Sequence, residues 1–139
     1  MIKFASYGNE REVALNAMEI DFTKLVFETL KDSSVLTDKL EIVRKSDSYA
    51  TMVIRGKEWD FDLIRIKITD KTKWLSLSLS KNDRKVFESS PLFEAQKKKS
   101  QLHWKSKIQK VNDISQYKDL IINSYLECIE LNPTNFLQS

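Results

Sequence analysis

The chain has 139 residues, a formal charge of +3, one cysteine, two glycines and two prolines. A single cysteine excludes an intramolecular disulfide scaffold, no apolar run reaches the ~18 residues of a bilayer span, and two glycines leave no nucleotide-cradling loop. The length fits one domain, 1–139, whose core holds without metal or disulfide support. The opening Met-Ile-Lys-Phe-Ala-Ser lacks a signal peptide's apolar stretch, so the expected compartment is the cytoplasm.

In chain order, a first helix is predicted to start at Asn9, with Glu12 at its third position as a reciprocal cap. Leu15, Met18, Phe22, Leu25, Val26 and Leu30 recur at spacings of three and four, one apolar stripe of a helix lying on a core. Asp32-Ser33-Ser34 reads as its stop. Short strands follow at Glu41–Lys45 and Tyr49–Arg55, then a turn at Gly56-Lys57. From Trp59 the apolar phase is odd (Trp59, Phe61, Leu63) and then becomes even (Ile64, Ile66, Ile68), which requires an extra residue, so a bulge is predicted near Leu63. Asp70-Lys71 turns the chain into Trp74–Ser80, where Leu75, Leu77 and Leu79 alternate with polar positions.

Within Lys81–Ser100, Val86-Phe87 suits a short strand and Leu92-Phe93 an anchor after Pro91. Alternation resumes over Leu102–Val111, and Asp113, with Gln116 three residues on, opens a last helix. Its stripe is Ile114, Tyr117, Leu120, Ile121, Ser124, Tyr125, Cys128 and Ile129, and Asn132-Pro133 ends it. The expected fold is α+β in two layers: an antiparallel sheet of four to five strands with the N- and C-terminal helices packed on one face. That face carries Met52, Ile64, Ile66, Leu75, Leu77, Trp104 and Ile108.

The opposite face is left as the candidate open surface. By alternation it bears Tyr49, Thr51, Arg55, Arg65, Lys67, Thr69, Trp74, Ser76, Ser78, His103, Lys105 and Lys107, a set with five fixed cations and no acid. Gln96 to Val111 adds charge in the same sense, with six lysines and no acid, whereas the first 32 residues carry six acids against four bases. Lysine and arginine neutralise phosphates and an aromatic face stacks a base, so the candidate polyanion-binding residues are Arg55, Arg65, Lys67, Trp74, Lys97, Lys98, Lys99, His103, Lys105 and Lys107. Against this stands the plain alternative that such residues clothe any solvated sheet face.

Enzymatic chemistry has less to work with. His103 is the single histidine and reads as an exposed strand residue, and Cys128 lies in the apolar stripe of the last helix as a small hydrophobe. Asp60 and Asp62 share a strand face, but a two-metal site needs further converging acids. Asp83-Arg84-Lys85 sits in a turn context, and the ligand count excludes structural zinc. No cofactor and no metal are expected. The remaining readings are a protein–protein or homodimer interface at the sheet face or an edge strand, and an enzyme site within Lys81–Ser100.

His103-Trp104, Asp113-Ile114, Leu120-Ile121 and Ser124-Tyr125 follow the three strands from Tyr49 onward. In this order the chain, from Tyr49 to Glu127, resembles a small uncharacterised bacterial domain family of three strands, a His-Trp strand and a C-terminal helix. The glycines that usually surround the His-Trp pair are missing here. Members occur alone or appended to nuclease-like domains, so the resemblance implies an accessory role in a nucleic-acid setting, and it carries over no catalytic residue.

Overall fold

The computed structural model describes residues 3–6, 15–33, 38–44, 49–78, 93–94 and 103–136. Its elements are β1 (Lys3–Ser6), α1 (Ala17–Asp32), β2 (Leu40–Arg44), β3 (Ala50–Ile54), β4 (Phe61–Ile68), β5 (Lys73–Ser78), β6 (His103–Lys107), a 3-10 segment (Val111–Tyr117), α2 (Lys118–Leu131) and the single turn α3 (Pro133–Phe136). The strands form one sheet in chain order, β1 to β6, antiparallel throughout except that β1 runs parallel to β2. The α+β fold with helices on one face is therefore as expected, with one strand more. Parallel neighbours need a crossover, and α1 lies in the connection between β1 and β2.

α1 begins later than the sequence suggested. Asn16, in extended conformation, is the cap: its side chain accepts from Glu19 N–H at 2.8 Å, and the Glu19 carboxylate accepts from Asn16 N–H at 3.1 Å. The predicted start, Asn9 with Glu12, lies outside the described residues. Both sites carry the same Asn-x-x-Glu signal. Asn16 has a further partner, since its amide donates to the Ile68 carbonyl at the end of β4 and ties the helix start to the sheet. Ser33 closes the helix, its N–H bonding back to the Leu30 carbonyl.

The bulge falls where the phase change demanded it. Met52 pairs with Ile64 and Val53 with Asp62, so Leu63 is the extra residue of β4. Leu63 and Ile64 are both fully buried, side by side in the core. Phe22, Val26 and Leu30 of α1, together with Ile121, Tyr125 and Cys128 of α2, close over Met52, Ile64, Ile66, Leu75, Leu77, Trp104 and Ile108. Each such side chain taken fully from water contributes roughly 1.5–3 kcal/mol, which is why both amphipathic helices settle on this face. Two hydroxyls in it are satisfied: Ser106 bonds the Tyr117 phenol, and Ser124 donates to the Ser78 carbonyl.

The last helix is entered differently from the expectation. Asp113 is the third residue of the 3-10 segment, and its carboxylate accepts from the N–H groups of Gln109 and Lys110 at 2.9 and 3.1 Å. The acid does cap this entry, but from the third position and back toward Lys110, not as the opening residue with Gln116 behind it; the α-helix proper starts only at Lys118. Phe93 packs edge-on against Tyr117, and Glu94 N–H bonds the Lys105 carbonyl beside β6. The proposed strand at Val86-Phe87 and the Asp83-Arg84-Lys85 turn lie outside the described residues.

Two core groups make stability depend on alkaline pH. Burial, with Glu127's charge behind it, pushes the Cys128 thiol from 9.0 up to about 12, and burial, with Asp38 and Cys128, pushes the Tyr125 phenol from 10.0 up to about 12. The folded chain thus keeps protons that the unfolded chain releases, so stability is intact below pH 9.0 and falls as pH rises toward 12. Urea midpoints measured by circular dichroism should decline steadily over that window, less so in Cys128→Ala. A flat profile would contradict this assignment.

Candidate nucleic-acid interface

Alternation and register place the second face in three rows across the sheet. Glu41 of β2, Val53 and Asp62 are neighbours in the first, and Ser78 and His103 continue it on β5 and β6. Val43, Thr51, Arg65, Ser76 and Lys105 form the second. The third joins Lys67, Trp74 and Lys107, with Tyr49 at its β3 end. The face is not open along its whole width: Val43, Thr51 and Val53 have no exposed surface, and Ser76 and Ser78 keep 5%.

Arg55 and Arg65, predicted as phosphate contacts, are held by acids within the face. Arg55 Nε donates to Glu41 at 2.7 Å and Nη1 to Asp60 at 2.6 Å. Burial alone would lower its pKa, but the hydrogen bonds and charges of Glu41 and Asp60 outweigh that and raise it. Arg65 Nη2 meets Asp62 at 3.1 Å, and its guanidinium lies over the Tyr49 ring, 5.7 Å from the centroid. The face therefore has acids, contrary to the expected set, because the bulge at Leu63 turns Asp60 and Asp62 onto it. Those two carboxylates do share a side, as read, and each is engaged by a guanidinium rather than directed at a metal.

The lysines are disposed differently. Lys105 Nζ sits 4.8 Å from the centroid of Trp74, and Tyr49 leans on the same indole with centroids 6.2 Å apart and planes at 52°. Lys107 comes only within 3.9 Å of Glu94, both side chains being well exposed, a contact worth little. Lys67 is half-buried beside Trp74 and makes no ion pair among the described residues. The half-buried indole therefore stands between two cross-strand lysines with a third over its ring. Lys97, Lys98 and Lys99 lie outside the described residues.

His103 is half-buried rather than exposed. Its Nδ1 lies 3.4 Å from Ser76 Oγ and its Nε2 3.4 Å from Ser78 Oγ. Ser78 gives its proton to the Asp62 carbonyl, so that hydroxyl is not presented to the imidazole as a nucleophile. Cys128 is buried in the helix-side core, and His103 projects from the opposite face, which separates that pair by the thickness of the sheet. Among the described residues, Thr51 Oγ1 and Arg65 Nε, on directly paired residues, are buried without a hydrogen-bond partner; no sequence signal marks them.

At the far end of the β3–β4 hairpin, Lys57, Glu58, Trp59, Leu131, Asn132, Pro133, Thr134 and Asn135 line a groove of about 350 Å³. Trp59 is 44% and Leu131 60% exposed there, a feature the sequence reading missed. Among the described residues no helix is long and apolar enough to cross a membrane.

The fold and face define a two-layer α+β domain with an aromatic, lysine-flanked strip on its sheet. No protein-family model matches the chain, and neither a curated protein nor a solved structure shows significant similarity to it.

Proposed function

We propose that the chain is a non-enzymatic binding module that holds a polyanion, nucleic acid foremost, on the strip around Trp74. The observation that carries this is the cross-strand row Lys67–Trp74–Lys107 with the Lys105 ammonium over the indole. Among the described residues these three cations are not locked to carboxylates as Arg55 and Arg65 are, so a phosphate meets no competing acid there beyond the loosely placed Glu94. The strip is narrower than the whole-face site read from sequence.

Fluorescence anisotropy with labelled single-stranded DNA, duplex DNA and RNA at several salt concentrations tests it. Three phosphate contacts give a slope of log K against log salt of about −2 for a single strand. The double change Lys105→Glu, Lys107→Glu is expected to weaken binding at least tenfold and to leave the melting temperature unchanged. Wild-type affinity in that variant would overturn the proposal.

A second reading, contact with a protein partner or with itself, has one observation in its favour: the exposed Trp59 and Leu131 beside Pro133. It concerns the other end of the molecule, and a chain that binds no polyanion would leave it as the better account.

A further inference from the structure

We infer that the polyanion is a single-stranded nucleic acid, one base of which stacks on Trp74 in the place now held by the Lys105 ammonium. The inference rests on the strip being the binding surface and adds what that surface selects.

Trp74 is already held for this use. Tyr49 leans on it from the β3 side, its strand is pinned on both edges, and its ring is only half-buried, so the indole keeps its position while one side stays approachable. Among the described residues, what lies over that side is one exposed side chain, Lys105. An ammonium over an exposed ring is a weaker contact than a stacked base. A base arriving at the indole therefore displaces Lys105 favourably, and the freed ammonium is left beside the incoming phosphates.

The flanking charges fit one nucleotide. Lys67 and Lys107 sit on the strands to either side of Trp74, and neighbouring strands are about 4.8 Å apart, so the two lysines straddle the ring over roughly 10 Å. That places a cation on each side of a single stacked base. A duplex cannot use the arrangement, because its bases are paired and stacked on one another. Nor, among the described residues, does an element beside Trp74 protrude to enter a groove, since β4 and β5 are interior strands of the six-stranded sheet. A featureless polyanion would use the lysines and leave the indole idle.

Anisotropy competition on the full chain separates these cases, using oligo-dT, oligo-U, a duplex of equal length and inorganic polyphosphate. The expected result is that both single strands bind at least tenfold tighter than duplex or polyphosphate. Trp74→Leu should lose roughly 5- to 100-fold for the strands with polyphosphate unaffected, and Trp74→Phe should recover most of the loss. Photocrosslinking of a 5-iodouracil oligonucleotide to the unaltered chain needs no variant to fold, and the adduct is expected on Trp74. Equal binding of duplex, polyphosphate and strand, with the adduct elsewhere, would overturn this inference and leave the polyanion reading standing. Binding to none of the four would overturn both. A preference of oligo-U over oligo-dT would identify RNA as the source, the reverse DNA, and either supports the inference.

Discussion

Asn135→Ala is expected to destabilise the fold by about 2 kcal/mol, because two well-formed, part-buried hydrogen bonds to the hairpin backbone are lost at ~0.5–1.5 kcal/mol each. Asn135 is 8% exposed. Its Oδ1 accepts from Glu58 N–H at 2.9 Å and, more loosely, from Trp59 N–H at 3.4 Å, while its Nδ2 donates to the Trp59 carbonyl at 2.9 Å. The Lys57 N–H bonds the Asn135 carbonyl as well, and Phe136, fully buried, meets the Trp59 ring edge-on at 5.1 Å. The turn after α2 thus fastens the β3–β4 hairpin from outside. Gly56 belongs to the same fit, since a Cβ there would overlap the Asn135 amide and the Trp59 carbonyl. With a urea slope of ~2 kcal/mol/M, the predicted loss lowers the midpoint by about 1 M. Asn135→Asp, which keeps the acceptor and drops the donor, should fall between. A midpoint shift under 0.5 M (~1 kcal/mol at that slope) for the alanine variant would show that the hairpin does not depend on this clamp.

Much of the core was legible because burial on a sheet follows a period of two and burial on a helix one near 3.6. Met52, Ile66, Leu75, Leu77 and Trp104 follow from alternation, and Phe22, Val26, Leu30, Ile121 and Tyr125 from helical spacing. The bulge at Leu63 was legible for the same reason, a phase that changes inside one apolar run. Two features were not. β1 is only four residues paired in parallel to β2, so its signal lies in a partner far along the chain. The start of α1 was ambiguous because Asn-x-x-Glu occurs at both Asn9 and Asn16, and a contact to Ile68 distinguishes the second.

The site was legible in its cations and misread in their partners. The phase change that puts Leu63 in the core also moves Asp60 and Asp62 from the helix face to the other one. Glu41, one residue from the buried Ile42, lies on that face by plain alternation. Carrying the bulge through to the charges would have placed three acids beside Arg55 and Arg65 from sequence alone. Which of them a guanidinium meets depends on side-chain reach, and that only the packed structure supplies. The lysines of β6 had no such acid within their register, and Lys105 and Lys107 stayed where alternation put them.

That division makes Arg55→Met the counterpart of the lysine reversals. The guanidinium is about 30% exposed and bridges two carboxylates that are less than 20% exposed. Breaking a fully buried pair costs ~3–5 kcal/mol, while a fully exposed one is worth under ~1 kcal/mol. The partial exposure here sets the expected loss at about 2 kcal/mol. The methionine stem keeps the packing along the strand end and removes the charge that Glu41 and Asp60 share, so the loss is electrostatic in origin. Stability by urea denaturation should fall, and polyanion affinity should stay within twofold of wild type, because Arg55's charge is already spent within the face. Lys107→Glu should behave inversely, with stability kept and affinity lost. If Arg55→Met instead weakens binding as strongly as Lys107→Glu, the guanidinium faces the ligand after all, and the binding surface extends across β3 to the acids that the fold sets against it.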